Sequence, residues 1–275
     1  MRIEPDASAL ADRDVVLVTV KGGDTRAAAE ALAKVPRPDA ILVSFQNGVG
    51  NPAVLREAGL NVLAGVVPWN VLRSDEAHFH QGTSGTLSNG ADAPAALLAA
   101  VRSAGLPINL RADVVSVQWG KLLINLNNSV NALAGVPIKE MLEDRGYRLV
   151  MAAIAREAIA TLKRANIVAR LDPPLPPRLM PALLSMPDWL LRIAARPMVR
   201  VDPLARSSMW DDLSRGRKTE IDALNGEIVR AAERAGIDAP LSRAIVELVR
   251  SAESAGGSPG LSATALQHHL GLARS

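Results

Sequence analysis

Two hydrophobic patterns divide the chain. In its first part, short apolar runs at residues 14–20, 40–45 and 61–67 are rich in β-branched residues, as in strands that a parallel sheet buries on both faces. Short helical patterns at residues 26–35 and 52–58 separate them. This β-α-β-α-β order predicts a doubly wound parallel sheet. Right-handed crossovers then bring the carboxyl ends of the strands to one edge, where ligands bind.

The hydrophobic pattern after residue 67 completes this domain and then changes to that of a helical domain. Residues 69–89 alternate weakly and predict a strand pair that extends or covers the sheet. A helix at 94–104 and a short strand at 107–110 follow, so we expect one domain over residues 1–111 and an all-helical domain over residues 112–275. The first helices of that second domain are predicted at about 114–133, 137–144 and 146–165.

A proline-rich stretch at residues 172–177 predicts an extended connector. Beyond it, residues 180–201 set apolar side chains against arginines. Such a basic amphipathic helix can lie on a membrane surface. Pro197 and Pro203 cut this one short, so we favour packing onto the helical domain.

Composition narrows the function classes. The chain has 275 residues, a formal charge of +3, 3% aromatic residues and no cysteine. Thiol catalysis and disulfides are excluded, and the core must be aliphatic. No basic stripe with stacking aromatics supports nucleic-acid binding. No apolar run reaches the roughly 18–20 residues that span a bilayer, and the first residues have no apolar signal segment, so we expect a cytoplasmic protein.

The most unusual stretch is the predicted helix that follows Trp119. Apolar residues recur on one face, whereas four Asn residues occupy positions 125–131 on another, although Asn is a poor helix former. Lys121, Asn125 and Asn128 are spaced at i, i+4 and i+7, so they share that face. A cation with a row of amides suits a small, oxygen-rich anion. The alternative is an ordinary solvated face, which usually carries Glu, Lys, Arg and Gln instead.

Other polar residues lie at predicted element ends. Lys21 and Asn47 follow neighbouring strands and should share one crevice; alternatively, they are an exposed loop lysine and a turn residue. The segments that begin at Ser208 and Thr219 fit the capping pattern S/T-x-x-D/E. Ser208 is then a helix N-cap or a carboxylate contact, and Glu220 is at least a first-turn acid.

Two further motifs are weak. His78 and His80 are spaced as half a metal site, but no further ligands lie at suitable spacing, so we interpret them as ordinary strand residues and expect no metal. No G-x-G-x-x-G follows the first strand. The nearest match, a G-x-G-x-x-A at residues 48–53, is explained equally well by a turn.

These motifs together resemble the ketopantoate reductase (2-dehydropantoate 2-reductase) family. The matching stretches are VTVK ending at Lys21, QNGVG at 46–50, WGKLLINLNNSVNAL at 119–133 and ARSSMWDDLSRGRKTEIDALNG at 205–226. The resemblance implies a Rossmann-like domain followed by a helical domain related to that of 6-phosphogluconate dehydrogenase. It also implies reduction of ketopantoate, a small 2-keto acid, to pantoate with NADPH, in the route to pantothenate and coenzyme A. A homodimer is among the assemblies that we expect.

The resemblance also implies roles for individual residues. Lys121 is the expected general acid, and Glu220 the acid that organises this lysine and the substrate hydroxyl. Asn125 and Ser208 are expected to bind the substrate oxygens and the substrate carboxylate. Lys21 and Asn47 are expected at the crevice shared by nicotinamide and substrate, and Glu220 is also placed beside the cofactor.

One departure from the family leaves alternatives open. The family's first strand, phosphate loop and 2′-phosphate-reading residues have no counterpart here. We therefore expect a truncated Rossmann domain that lacks on the order of 70 residues and exposes a sheet edge and face. A non-catalytic module for anion binding or association is one alternative function, and a reductase of another small 2-keto acid is a second.

Overall fold

The computed structural model describes residues 6–35, 40–69, 71–73, 78–81, 85–172, 174–194 and 205–272. The chain forms two compact units, Met1–Gln118 and Trp119–Ser275. The division falls inside a helix that begins at Val114, so one continuous helix leads the chain from the first unit into the second.

The first unit is built on a five-stranded sheet. Strands β1 (Val15–Val18), β2 (Ile41–Ser44) and β3 (Val62–Val66) run parallel in that order, with Val16 opposite Leu42 and Leu42 opposite Val62. The parallel arrangement predicted for these three runs is confirmed. The carboxyl ends of β1 and β2 carry the loops that hold Lys21 and Asn47.

The predicted strand pair at 69–89 has a different arrangement. Strands β4 (Val71–Arg73) and β5 (Phe79–Gln81) form a separate antiparallel pair. Strand β6 (Leu87–Gly90) joins the main sheet antiparallel to β3, and β7 (Ile108–Arg111) runs parallel to β6. The sheet is therefore mixed. The expectation that the strands of the β-α-β-α-β run bring their carboxyl ends to one edge holds for β1–β3. Strands β6 and β7 point the other way, because β6 reverses the chain direction.

Helices cover both faces of this sheet. They are α1 (Thr25–Leu32), α2 (Asn51–Glu57) and α3 (Ala95–Ser103). On one face Leu42 packs with Ala29 of α1 and Leu55 of α2. On the other face its neighbour Val43 packs with Leu97 of α3, as the alternation of side chains along a strand requires. Each buried Leu or Val side chain contributes about 1.5–3 kcal/mol relative to exposure.

The rest of the described chain is helical, which confirms the predicted architecture. The helices are α4 (Val114–Asn125), α5 (Asn127–Ala134), α6 (Ile138–Glu143), α7 (Arg145–Arg164), α8 (Met180–Ser185), α9 (Asp188–Ala194), α10 (Ser208–Ser214), α11 (Asn225–Arg234), α12 (Pro240–Ala255) and α13 (Ala263–His269). No helix of the described ranges is both long enough and apolar enough to cross a membrane.

Two predicted long helices are each divided. The helix predicted at 114–133 is α4 and α5, which meet at Leu126; the Ser129 hydroxyl donates to the Leu126 carbonyl at 2.8 Å, a local bond that competes with helical pairing. The helix predicted at 180–201 is α8 and α9, with Pro187 between them. Leu191 of α9 is buried, whereas Trp189 is 66% exposed. Residues 195–204 lie outside the described ranges.

A fully buried arginine fixes this divided segment. Arg148 of α7 is 0% exposed, and its guanidinium donates from all three nitrogens. The acceptors are the carbonyl oxygens of Leu142, Glu143, Leu184 and Met186, at 2.9, 3.1, 3.2 and 2.9 Å, and the carboxylate of Asp188 at 2.6 Å. A buried charge is tolerated only with such complete pairing. Arg148 therefore holds α8 and α9 against the α6–α7 turn.

Candidate functional site

Lys121 is a lysine of the second unit whose pKa is strongly shifted. It lies on α4 and is half-buried. Burial lowers its pKa to about 8, and the charge of Glu220 opposes that shift by raising it. A lysine with this pKa is mostly an ammonium at neutral pH, yet it can exchange its proton near that range.

Asn125, Asn128 and Asn131, called the Asn row below, lie beside this lysine on a partly buried face. Asn125, the last residue of α4, is half-buried, and so is Asn128 after the break at Leu126. Asn131 is 1% exposed and is used structurally: its Nδ2 donates to the Val136 carbonyl at 2.8 Å. The alternative of an ordinary solvated face does not fit this burial. The row divides into one buried, structural Asn and two Asn side chains that remain accessible.

The Asn row is bonded to the start of α10. The Ser207 N–H donates to Asn131 Oδ1 at 2.9 Å, and the Ser207 hydroxyl donates to the Asn128 carbonyl at 3.2 Å. Ser207 Oγ also accepts from the Trp210 N–H at 3.1 Å and caps the helix. The N-cap interpretation of Ser208 is therefore wrong by one residue. Ser208 is the first helical residue and is exposed, so its hydroxyl is not used for capping.

Glu220 lies in a tight turn. It precedes a 3₁₀ turn, Ile221–Ala223, and its carbonyl accepts from the Ala223 and Leu224 N–H groups at 3.0 and 3.2 Å. The predicted α-helical capping box at Thr219 is wrong, because the α-helix begins only at Asn225. Thr219 Oγ1 instead accepts from the Ile221 N–H at 3.2 Å. The structure thus brings Glu220 within electrostatic range of Lys121.

In the first unit, the loops that carry Lys21 and Asn47 are joined by a buried polar network that the sequence pattern does not reveal. Gln46 Nε2 donates to the Val20 carbonyl at 2.9 Å and to Thr25 Oγ1 at 2.8 Å. Thr25 donates to Asn51 Oδ1 at 2.9 Å, and Asn51 Nδ2 donates to the Asn47 carbonyl at 2.7 Å. These bonds join the loop after β1 to the loop after β2, so the backbones beside Lys21 and Asn47 are fixed relative to each other.

Within the ranges that the structure describes, no three acidic or histidine side chains lie together as a metal site. His78 is exposed just before β5, and His80 lies in that strand.

Two family models match most of the chain. The model described as "Ketopantoate reductase PanE/ApbA" matches residues 2–93, and the model described as "Ketopantoate reductase PanE/ApbA C terminal" matches residues 113–253.

Individual relatives agree with these models. A 2-dehydropantoate 2-reductase from Archaeoglobus fulgidus is 29% identical over 253 residues, which are 88% of this chain and 78% of the relative. A crystal structure of a PanE/ApbA family ketopantoate reductase from Ralstonia eutropha is 31% identical, with a TM-score of 0.76 over 91% of this chain and 79% of that one.

Two more distant structures show the fold alone. A dimeric ketopantoate reductase from Staphylococcus aureus is 19% identical, with a TM-score of 0.66 over 89% of this chain and 78% of that chain. D-mandelate dehydrogenase, solved with NADH and anilino(oxo)acetate, is 18% identical, with a TM-score of 0.70 over 88% of this chain and 77% of that chain.

Proposed function

The chain belongs to the ketopantoate reductase family, and we propose that it reduces 2-dehydropantoate to pantoate with NADPH, in the route to pantothenate and coenzyme A. The observation that carries the proposal is the half-buried position of Lys121 on α4, where burial lowers the pKa of its ammonium to about 8. Asn125 lies one helical turn away, and Glu220 acts on the lysine electrostatically. General acids work best when their pKa lies near the operating pH.

Lys121 is the proposed general acid. Reduction of a ketone places negative charge on its oxygen, and an ammonium within hydrogen-bond reach stabilises that charge. Lys121 then donates one proton to this oxygen, which becomes the hydroxyl of the product. The resulting neutral amine is tolerated, because burial already disfavours the charged form.

Three polar residues are proposed to orient the substrate. Asn125 offers an amide to the keto and hydroxyl oxygens, and Ser208 offers its hydroxyl to the carboxylate. Asn47 is proposed to contact the substrate from the crevice of the first unit. Glu220 is proposed as a second catalytic residue, which keeps Lys121 protonated and accepts from the substrate hydroxyl. Fixed contacts of this kind raise the rate by holding the reacting groups in register.

The proposed cofactor is NADPH, which supplies the hydride when bound. A nicotinamide nucleotide fits the loops after β1 and β2, because ligands of doubly wound sheets bind at the carboxyl ends of the strands. Lys21 offers a cation there and Asn47 an amide, and Gly48 has a φ of 86° in the same loop. Glu220 is the third proposed contact. The preference for NADPH over NADH rests on the family resemblance, since the sequence contains no G-x-G-x-x-G to which pyrophosphate contacts can be assigned.

We further propose that the protein works in the cytoplasm and as a homodimer. The dimeric enzyme from Staphylococcus aureus supports the assembly, and light scattering of the purified protein measures it.

A substrate panel tests the proposed function. The purified protein is incubated with NADPH or NADH and with 2-dehydropantoate or other 2-keto acids that carry smaller, linear or aromatic side chains. We expect the highest kcat/KM for 2-dehydropantoate with NADPH, with pantoate identified by mass spectrometry. A higher value for another 2-keto acid would replace the proposed substrate. Absence of NADPH-dependent reduction across the panel would contradict the reductase assignment.

A further inference from the structure

Glu253 of α12 makes three hydrogen bonds to the segment just before Glu220. Its Oε1 accepts from the Thr219 N–H at 2.8 Å and from the Thr219 hydroxyl at 2.7 Å, and its Oε2 accepts from Lys218 Nζ at 3.1 Å. The Glu253 side chain is only 7% exposed. A buried carboxylate with several donors is held in one position, because each lost bond would leave a charge poorly solvated.

Thr219 transmits this restraint to the backbone on both sides of Glu220. Its N–H and its hydroxyl both donate to Glu253, while the same hydroxyl oxygen accepts from the Ile221 N–H at 3.2 Å. The backbone on either side of Glu220 is therefore attached to one carboxylate. The bonds from Ala223 and Leu224 to the Glu220 carbonyl fix the residue itself. The Glu220 side chain thus projects from a backbone with little freedom to shift.

We propose that Glu253 is a positioning residue of the reductase, which holds the Glu220 carboxylate in place to act on Lys121. The proposal rests on the proposed function, because it assigns Glu253 a role in the protonation of the general acid. Glu253 itself has no assigned contact with substrate or cofactor. It acts through Thr219 and Glu220.

Charged groups on the neighbouring elements are consistent with this role. Lys218 pairs with Glu253 from the loop, and Asp222 pairs with Arg250 of α12 at 2.8 Å. Arg230 of α11 donates to the Asp222 carbonyl at 2.7 Å. Burial acts to raise the pKa of Glu253, but the hydrogen bonds from Thr219 and the charge of Lys218 outweigh it, so this pKa lies below its usual value. Glu253 therefore remains a carboxylate throughout the neutral range.

The test measures how the protonation of Lys121 depends on pH in the Glu253→Gln variant and in the wild-type protein. Glutamine keeps one acceptor oxygen but loses the negative charge that strengthens the bonds from Lys218 and Thr219. The restraint weakens, Glu220 can move, and less positive charge is stabilised at Lys121. We expect the alkaline limb of the pH profile of kcat to move to lower pH by roughly half a pH unit, less than the shift of about 1–3 units that a whole neighbouring charge produces, because Glu220 is displaced and not removed. Glu220→Gln should move it in the same direction, and the double variant no further than Glu220→Gln alone. A purely structural role of Glu253 would give no such dependence on Glu220.

A second readout does not depend on turnover. The pH dependence of Lys121 acetylation, located by mass spectrometry, gives the lysine pKa directly and should shift in the same way. Glu233→Gln removes an equal charge from an exposed pair with Arg243 and should leave this pKa unchanged. Thr219→Val, which keeps Glu253 and Lys218 but removes the hydroxyl bridge, should give a smaller shift in the same direction and replaces Glu253→Gln if that variant does not fold.

The outcomes separate the two proposals. A folded Glu253→Gln or Thr219→Val protein with the wild-type Lys121 pKa would overturn the positioning role. A wild-type protein without reductase activity, whose Lys121 pKa nevertheless shifts as expected in the variants, would overturn the proposed function and support the role of Glu253.

Discussion

Gly120 lies directly against the backbone carbonyl of Arg170, so closely that a Cβ at Gly120 would overlap the carbonyl oxygen. Both residues belong to the second unit, and Gly120 immediately precedes Lys121. The obstacle is backbone, which cannot swing aside as a flexible side chain does. This approach lets residues 170–171 cover α4 beside the proposed general acid.

Gly120→Ala should therefore destabilise the protein and lower its activity. Forcing a methyl group into a packed site typically lowers the free energy of unfolding by about 1–3 kcal/mol, and the resulting shift of α4 would move Lys121. Urea denaturation and kcat/KM measure the two effects. Gly257→Ala is the matched control, because nothing lies within 4 Å of a Cβ built there. Equal stability of the two variants would show that Arg170 can move away at little energetic cost.

Removal of the proposed general acid should slow catalysis sharply. Lys121→Ala should lower kcat by about 10²-fold or more, the scale of general acid catalysis. In the wild-type protein, kcat for reduction should fall as pH rises through about 8, because Lys121 loses the proton that it must donate. Lys139→Ala serves as the control, since Lys139 lies on α6 and pairs with Glu143 at the surface. An unchanged kcat in Lys121→Ala would remove this lysine from the mechanism.

The same lysine should reduce stability at neutral pH. Its pKa is about 8 in the folded protein and near 10.5 when unperturbed, so below pH 8 it is protonated in both states and the full desolvation penalty applies. As pH rises from about 8 to 10.5, the unfolded chain still binds the proton that the folded protein has released, and the penalty disappears.

Lys121→Met should consequently raise the free energy of unfolding at neutral pH, by on the order of 1–3 kcal/mol. The gain over wild type should shrink as pH rises to 10.5, and urea denaturation at several pH values measures it. Lys139→Met should show no such trend. A gain for Lys121→Met that stays constant with pH would mean that burial of the charge is not its source.

The polar network of the first unit should affect cofactor binding. Thr25→Val keeps the side-chain shape but leaves Asn51 Oδ1 without the Thr25 donor, in a buried site where a lost hydrogen bond costs about 1–3 kcal/mol. We expect weaker NADPH binding, measured by fluorescence titration, because the loops that hold Lys21 and Asn47 lose a connection. Ser103→Ala, which removes an exposed hydroxyl bonded to Ala100, should bind NADPH normally. Unchanged NADPH affinity in Thr25→Val would separate the network from the cofactor.

The fold was largely predictable, because its hydrophobic patterns are local. The runs that became β1–β3 are short, apolar and β-branched, and the pattern at 146–165 has helical spacing. The reversed direction of β6 was not predictable, since a strand of this length gives no sign of its direction. Nor was the break at Leu126, where the Ser129 hydroxyl bonds the Leu126 carbonyl.

Candidate site residues could be proposed from the sequence where their chemistry is visible along the chain. Lys121 and Asn125 stand out because amides are unusual on a helix face. Glu253 could not be found in this way, because it lies 34 residues from Thr219 in the sequence and looks like any acid on an amphipathic helix. Ser207 was missed because two adjacent serines fit a capping position and only the backbone geometry distinguishes them.

Arg148 has a consequence for the order of folding. Two of its acceptors, Leu142 and Glu143, are neighbours along the chain, so their bonds close a short loop. The other three, at 184–188, require closure of a loop of about 40 residues, which carries a larger entropic barrier. The α6–α7 turn can therefore form early with its arginine already in place. Helices α8 and α9 then pack against the α6–α7 turn, which is already formed. Substitutions on these two helices should therefore mainly speed unfolding and change the folding rate little.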